Sequence, residues 1–210
     1  MVVDNFWIFA CTAILLNLTP GNDMLYVIAR STSQGIMCGI ISSLGIMAGC
    51  MLHIVAAVLG LSAIIARSAM AFDMIKYIGA AYLIYLGIRG IMSRKKTVTV
   101  SSPVNHLSYR HLFWQGAVTN VLNPKVALFF LAFLPQFINI SGSVSPSLQI
   151  LFLGTWFNLG GTIVNILVAL VFGKAGEWIN QSGKFIQWQE RVTGFILIAL
   201  GIKVALSSRN

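Results

Sequence analysis

The sequence predicts an all-α integral membrane protein, with six transmembrane helices arranged as an inverted 3+3 repeat. Three observations predict it. The chain of 210 residues is 57% hydrophobic and only 9% charged, with a mean hydropathy of +0.84. A soluble domain carries about 25% charged residues, so this composition cannot cover a water-facing surface. Six apolar runs fall near residues 4–28, 38–65, 70–92, 111–138, 147–173 and 188–207, each meeting the ~20 residues a spanning helix needs. Lastly, features of the first three runs recur in the last three.

That recurrence has two parts. Leu83-Ile-Tyr-Leu-Gly87-Ile-Arg89 in the third run matches Leu197-Ile-Ala-Leu-Gly201-Ile-Lys203 in the sixth, and Pro20 of the first run matches Pro124 of the fourth. Three spans is an odd number, so the second copy enters the membrane from the opposite side, which places a pseudo-two-fold axis in the membrane plane. The organisation is one transmembrane transporter domain over 1–210. Repeat one covers about 1–92, a basic linker 93–110, and repeat two about 111–210.

The first run carries Asn17-Leu-Thr-Pro20-Gly21-Asn22-Asp23 at its middle, and the fourth carries Asn120-Val-Leu-Asn123-Pro124-Lys125. Proline removes a backbone donor and clashes with the carbonyl four residues back, so both helices are expected to break, at Pro20 and Pro124. In hydrocarbon the freed groups must face protein or a wet cavity. A charge at mid-membrane costs roughly 2.5–3.5 kcal/mol and is usually functional. Asp23 is therefore the first candidate, as a proton carrier or a partner for a substrate ammonium. Lys125 has three open roles: pairing with Asp23, attracting a substrate carboxylate, or snorkelling to the interface. Asn17, Asn120 and Asn123 flank the breaks, where their amides can bond the opened backbone and line a polar cavity. With no basic segment ahead of it and Asp4 near its start, the first run reads as a retained span rather than a cleaved signal.

Ser42, Gly45, Gly49, His53, Ala56 and Gly60 fall on one face of the second run, and Gly79, Leu83, Gly87 and Gly90 on one face of the third. Both faces read as helix-packing seams, and His53 as a hydrogen-bonded packing residue. In the fifth run Thr155, Asn158, Thr162 and Asn165 form a polar stripe, either an interhelical contact or a pathway wall.

The net charge of +9 follows from basic residues at the ends of apolar runs, the pattern of the positive-inside rule and not of a nucleic-acid surface. Ser93-Arg94-Lys95-Lys96 puts the linker in the cytoplasm. Counting outward, the loops at Arg30 and at Lys174/Lys184 are cytoplasmic, and those at Arg67 and Ser141-Gly142-Ser143 external. Both termini come out external, with Lys203 and Arg209 against the rule. Trp7, Trp114, Trp178 and Trp188 lie near run ends, as interfacial aromatics do.

Cys11, Cys38 and Cys50 are odd in number and show no C-x-x-C spacing, so they read as small membrane-core residues. No metal-ligand spacing, nucleotide-binding glycine loop or cofactor motif is present. No enzymatic activity is expected. The alternatives from other classes are a membrane thiol-redox protein and a divalent-cation exporter of similar helical build.

The two break motifs carry a resemblance. Asn17-Leu-Thr-Pro-Gly-Asn-Asp23, followed by Met-Leu-Tyr-Val-Ile-Ala-Arg30, resembles the first signature of the LysE/RhtB family of amino-acid exporters. Gln115-Gly-Ala-Val-Thr-Asn120-Val-Leu-Asn123-Pro124-Lys125 and Phe129-Phe-Leu-Ala-Phe-Leu-Pro135-Gln136-Phe137 resemble its second. The family's usual Pro-Gly-Pro-Asp is here Pro20-Gly21-Asn22-Asp23, a less rigid break. The resemblance implies efflux of amino acids or small derivatives, driven by the proton gradient, across a bacterial inner membrane. It points to Pro20, Gly21, Asp23, Asn120, Asn123, Pro124 and Lys125 as functional residues. Only Asp23 among the acids lies deep in a run, since Glu177 and Glu190 are near ends. A neutral amino acid, as in the RhtB branch, is thus expected over lysine or arginine. The expected partners are this solute, protons and the lipid bilayer, and no nucleic acid; assembly as a homodimer stays open.

Overall fold

Helix breakers decide where each element ends. The computed structural model describes residues 5–61, 69–92, 107–140 and 142–174, together with 191, 192, 194–196, 198, 199, 201, 202, 205 and 206. In chain order, α1 is Phe6–Leu18, α2 Asn22–Gln34, α3 Ile36–Ala56, α4 Ala69–Ile91, α5 Tyr109–Val121, α6 Pro124–Leu128 and α7 Pro146–Lys174. A π-helical turn, Ala57–Leu61, extends α3; another, Phe129–Phe133, and a 3-10 turn, Leu134–Phe137, extend α6. The described residues between 191 and 206 are helical, and no strand occurs among the described residues. Linker residues 93–106, Arg67, Ser141, Glu177, Trp178, Lys184, Trp188, Glu190, Lys203 and Arg209 lie outside the described residues.

Among the described residues, Ile36–Gly60 and α7 are each long and apolar enough to cross a membrane, and α5 with Pro124–Phe137 forms a third such unit bent by 46°. The first run is divided between α1 and α2, of 13 residues each. At about 20 Å apiece neither alone spans a ~30 Å hydrocarbon core. This run also reaches beyond residue 28. The helix continues to Gln34 and turns at Gly35, whose φ of 92° favours a residue without Cβ. Arg30 therefore sits inside α2, and not in a loop as the sequence suggests. The sequence misleads there because Ser31, Thr32 and Ser33 look like a turn. Their hydroxyls instead donate to the carbonyls of Val27, Ile28 and Ala29, so the polar end of the helix satisfies itself.

Small residues let the helices close up. In the seam between α3 and α5, Gly45 faces the Phe113 carbonyl, Gly49 the Ala117 carbonyl and Gly116 the Ser42 carbonyl. Any side chain there would collide with backbone. A second seam joins α4 to the last helix, with Gly87 against the Gly194 carbonyl and Ile198, and Gly201 against the Ala80 carbonyl and Ile84. The core between α1, the α6 extension and α7 is aromatic. Phe9, Phe129, Phe130, Phe133, Phe137 and Phe157 are all buried, and the Phe129 and Phe157 rings stack at 3.9 Å.

The loop before α7 is held by a fully buried glutamine. Gln149 Nε2 donates to the carbonyls of Asn139 (2.8 Å) and Val144 (2.7 Å), and its Oε1 accepts from the Asn139 amide at 2.8 Å. Leaving such a buried group unpaired costs about 1–3 kcal/mol. Gln149→Leu is expected to lower the thermal unfolding midpoint in detergent by several degrees, while Leu148→Ala, on the exposed face beside it, leaves it close to wild type.

Candidate functional site

The site is made where the two proline breaks meet. Pro20 bars its predecessor from helical geometry, and Thr19 takes φ −74° and ψ 120°. The α1 helix ends there, with Thr19 Oγ1 donating to the Leu15 carbonyl at 2.7 Å. The next helix starts at Asn22 and places Asp23 in its first turn, where the helix dipole favours a negative charge. The second break is built differently. Asn123 caps α6, its Oδ1 accepting from the Lys125 amide at 3.0 Å, and Pro124 occupies a first-turn position that needs no donor.

Two hydrogen bonds cross from one break to the other. Lys125 Nζ donates to the Thr19 carbonyl at 2.7 Å, an acceptor that a continuous helix would have used itself. Asn120 Nδ2, in the last turn of α5, donates to Asp23 Oδ2 at 2.7 Å. The ammonium of Lys125 thus serves the opened backbone of the first break, in place of the direct pairing with Asp23 left open by the sequence. Its stem passes Gly21, where an added Cβ would lie 3.4 Å from Lys125 Cδ.

These groups line one pocket, with Asn17, Gly21, Asp23, Asn120, Asn123, Lys125, Asn158 and Asn165 on its walls together with Thr19, Gly161 and Thr162. Its interior volume is about 40 Å³, room for two or three waters. Pro20 and Pro124 shape it without lining it. Asn17 donates to the Phe157 carbonyl at 3.0 Å and Asn158 to the Met47 carbonyl at 3.2 Å, so both amides also tie α7 to its neighbours. Thr155, at the head of the polar stripe, does not reach the pocket.

Two oxygens stand out chemically. Among the described residues, Asp23 Oδ1 and Asn120 Oδ1 are buried without a donor in hydrogen-bonding geometry. An open carboxylate oxygen beside an open amide oxygen suits a protonated amine. Lys125 and the α2 N-terminus supply the opposite polarity a short distance away. His53, expected from the sequence to be a hydrogen-bonded packing residue, is one: its Nε2 lies 3.2 Å from the Asn120 carbonyl and its ring stacks on Phe130. Its position on the glycine face gave no hint of that contact. Sequence reasoning missed Cys50, buried against the same pocket, because an apolar run hides which face meets a break.

The chain matches the LysE type translocator family over residues 14–208, nearly its whole length. It belongs to that family. Members of the LysE family are membrane translocators, and the curated relatives agree with a membrane location. The chain is 34% identical over 205 residues to the uncharacterized membrane protein YrhP of Bacillus subtilis, covering 93% of this chain and 95% of that protein. It is 33% identical over 179 residues to an uncharacterized membrane protein of Vibrio cholerae, covering 85% and 82%. A third relative is the uncharacterized membrane protein PA4757 of Pseudomonas aeruginosa, 24% identical over 210 residues, covering 98% and 97%. No solved structure matches the chain.

The Asp23–Asn120 bond has a measurable signature. Asn120→Ala is expected to destabilise by about 1–3 kcal/mol, because it leaves a buried carboxylate oxygen unpaired. In an Asp23→Asn background the same change is expected to cost distinctly less. A double-mutant cycle of detergent unfolding checks this; equal costs in both backgrounds would mean that the pair is not coupled.

Proposed function

We propose that this LysE-type translocator exports neutral amino acids or small amino-acid derivatives by exchange with protons across a bacterial inner membrane. The observation that carries the reading is the pair of cross-linked helix breaks, which set a carboxylate with free acceptors and an ammonium on the walls of one pocket. A zwitterion offers the complementary pair of charges. Asp23 is then the group that holds either the substrate ammonium or a proton, one displacing the other. Asp23 is the one carboxylate among the described lining residues, which leaves no second acid there for a cationic side chain and favours a neutral solute. Energetically, a proton entering while a net-neutral solute leaves gains about 2.3 kcal/mol per 100 mV.

The reciprocal contacts of Gly87 with Gly194 and Ile198, and of Gly201 with Ala80 and Ile84, support an inverted repeat. With Gly87 matched to Gly201, each of these contacts is the counterpart of the other, the pattern a two-fold axis predicts. Orientation follows from the basic linker as cytoplasmic. The Leu107 amide, at the linker's end, bonds Gln34 at 3.1 Å, in keeping with the linker and the end of α2 sharing one side.

The test is uptake of a panel of labelled amino acids into inverted vesicles, with and without an imposed pH gradient. Gradient-stimulated uptake of at least one neutral amino acid is expected. Asp23→Asn, present at the same protein level, is expected to fall to the rate of vesicles lacking the protein. Full stimulated uptake by Asp23→Asn would remove the proposed role of the carboxylate.

A further inference from the structure

Beyond the pocket, α2 carries a second polar cluster. Tyr26, Arg30 and Gln34 recur every four residues and so share a face. Tyr26 Oη lies 3.1 Å from the Leu112 carbonyl and 3.2 Å from Gln115 Oε1. Arg30 Nη2 donates to the same Gln115 Oε1 at 3.0 Å, and its guanidinium carbon lies 5.4 Å from the Tyr26 ring centroid. Gln34 Oε1 accepts from the Leu107 amide at 3.1 Å. These bonds fix the acceptor side of the cluster and leave its donors over.

Among the described residues, two donors are buried with no acceptor, Arg30 Nε and Gln34 Nε2. Unpaired buried polar groups are few in native proteins and call for an explanation. Here one belongs to a permanent cation with no carboxylate bonded to it among the described residues, and a partly buried charge without a counter-charge is costly. Guanidinium N–H groups pair best with the oxygens of carboxylate or phosphate. Residues four apart on a helix hold their Cβ atoms about 5–6 Å from one another, a gap that one oxyanion can bridge.

We propose that Arg30 and Gln34 form an oxyanion-binding site at the linker end of α2, distinct from the pocket and about 10–16 Å along the helix from Asp23. Arg30 supplies the charge and the Nε–H, Gln34 a second N–H, and Gln115 and Tyr26 hold the guanidinium in place. The oxyanion is the carboxylate of a solute approaching the pocket or the phosphate of an anionic lipid headgroup. The site stands on these donors and does not depend on what the pocket carries.

The experiment uses thermal unfolding of the purified full chain in uncharged detergent. Sodium acetate is compared with sodium chloride at equal ionic strength, and micelles doped with phosphatidylglycerol with those doped with phosphatidylcholine. A saturable rise of about 3–5 °C is expected in acetate or with phosphatidylglycerol at tenfold the half-saturating concentration. A response to acetate assigns the site to a solute carboxylate, and one to phosphatidylglycerol to the headgroup. Arg30→Gln is expected to abolish the response. Gln34→Glu sets a carboxylate beside Arg30, so it is expected to keep or raise the basal midpoint and to abolish the response too. No response in the wild type, or equal responses in wild type, Arg30→Gln and Gln34→Glu, would overturn the proposal.

Discussion

Hydrocarbon offers no hydrogen bonds, and the rest of this structure answers to that. A proline inside a spanning helix opens carbonyls and amides that water would satisfy in a soluble protein. Here the first break is served by side chains of the second, Lys125 reaching the Thr19 carbonyl and Asn120 reaching Asp23, while Asn123 caps the second break locally. The polar centre of this protein is in this sense the by-product of two local defects, one of which repairs the other.

The apolar frame explains why that centre can stay small and polar. Aromatic rings of α1, the α6 extension and α7 pack behind it, and the glycine seam of α3 and α5 brings Asn120 to the pocket wall. The amides of Asn17 and Asn158 serve two ends at once, bonding to a neighbouring helix and facing the cavity. A proposed exchange of proton and solute at Asp23 therefore disturbs groups that also hold helices together. That is one physical route from occupancy to movement.

Much of this was legible in the sequence, and for specific reasons. Prolines in apolar runs have few meanings, so the breaks at Pro20 and Pro124 and the asparagines beside them could be read directly. The Gly45-x-x-x-Gly49 spacing likewise announced a seam. The partner of Lys125 could not be read, because a backbone carbonyl has no letter of its own. The end of the first run was misplaced because Ser31, Thr32 and Ser33 satisfy themselves within the helix. Cys50 went unseen beside the pocket, and the partners of His53 went unnamed, because small-residue faces record close approach without saying what approaches. Gln149 passed unnoticed too, since a single glutamine at a run's start resembles any interfacial residue.

The seam between α3 and α5 has a mechanical consequence. With glycine facing carbonyl at three successive levels, no layer of side chains is left to slide or re-pack between the two backbones. A displacement of one against the other drives main chain into main chain, so α3 and α5 must travel as a rigid pair. Any change in access to the pocket must then carry this pair as one piece or fall to the elements around it.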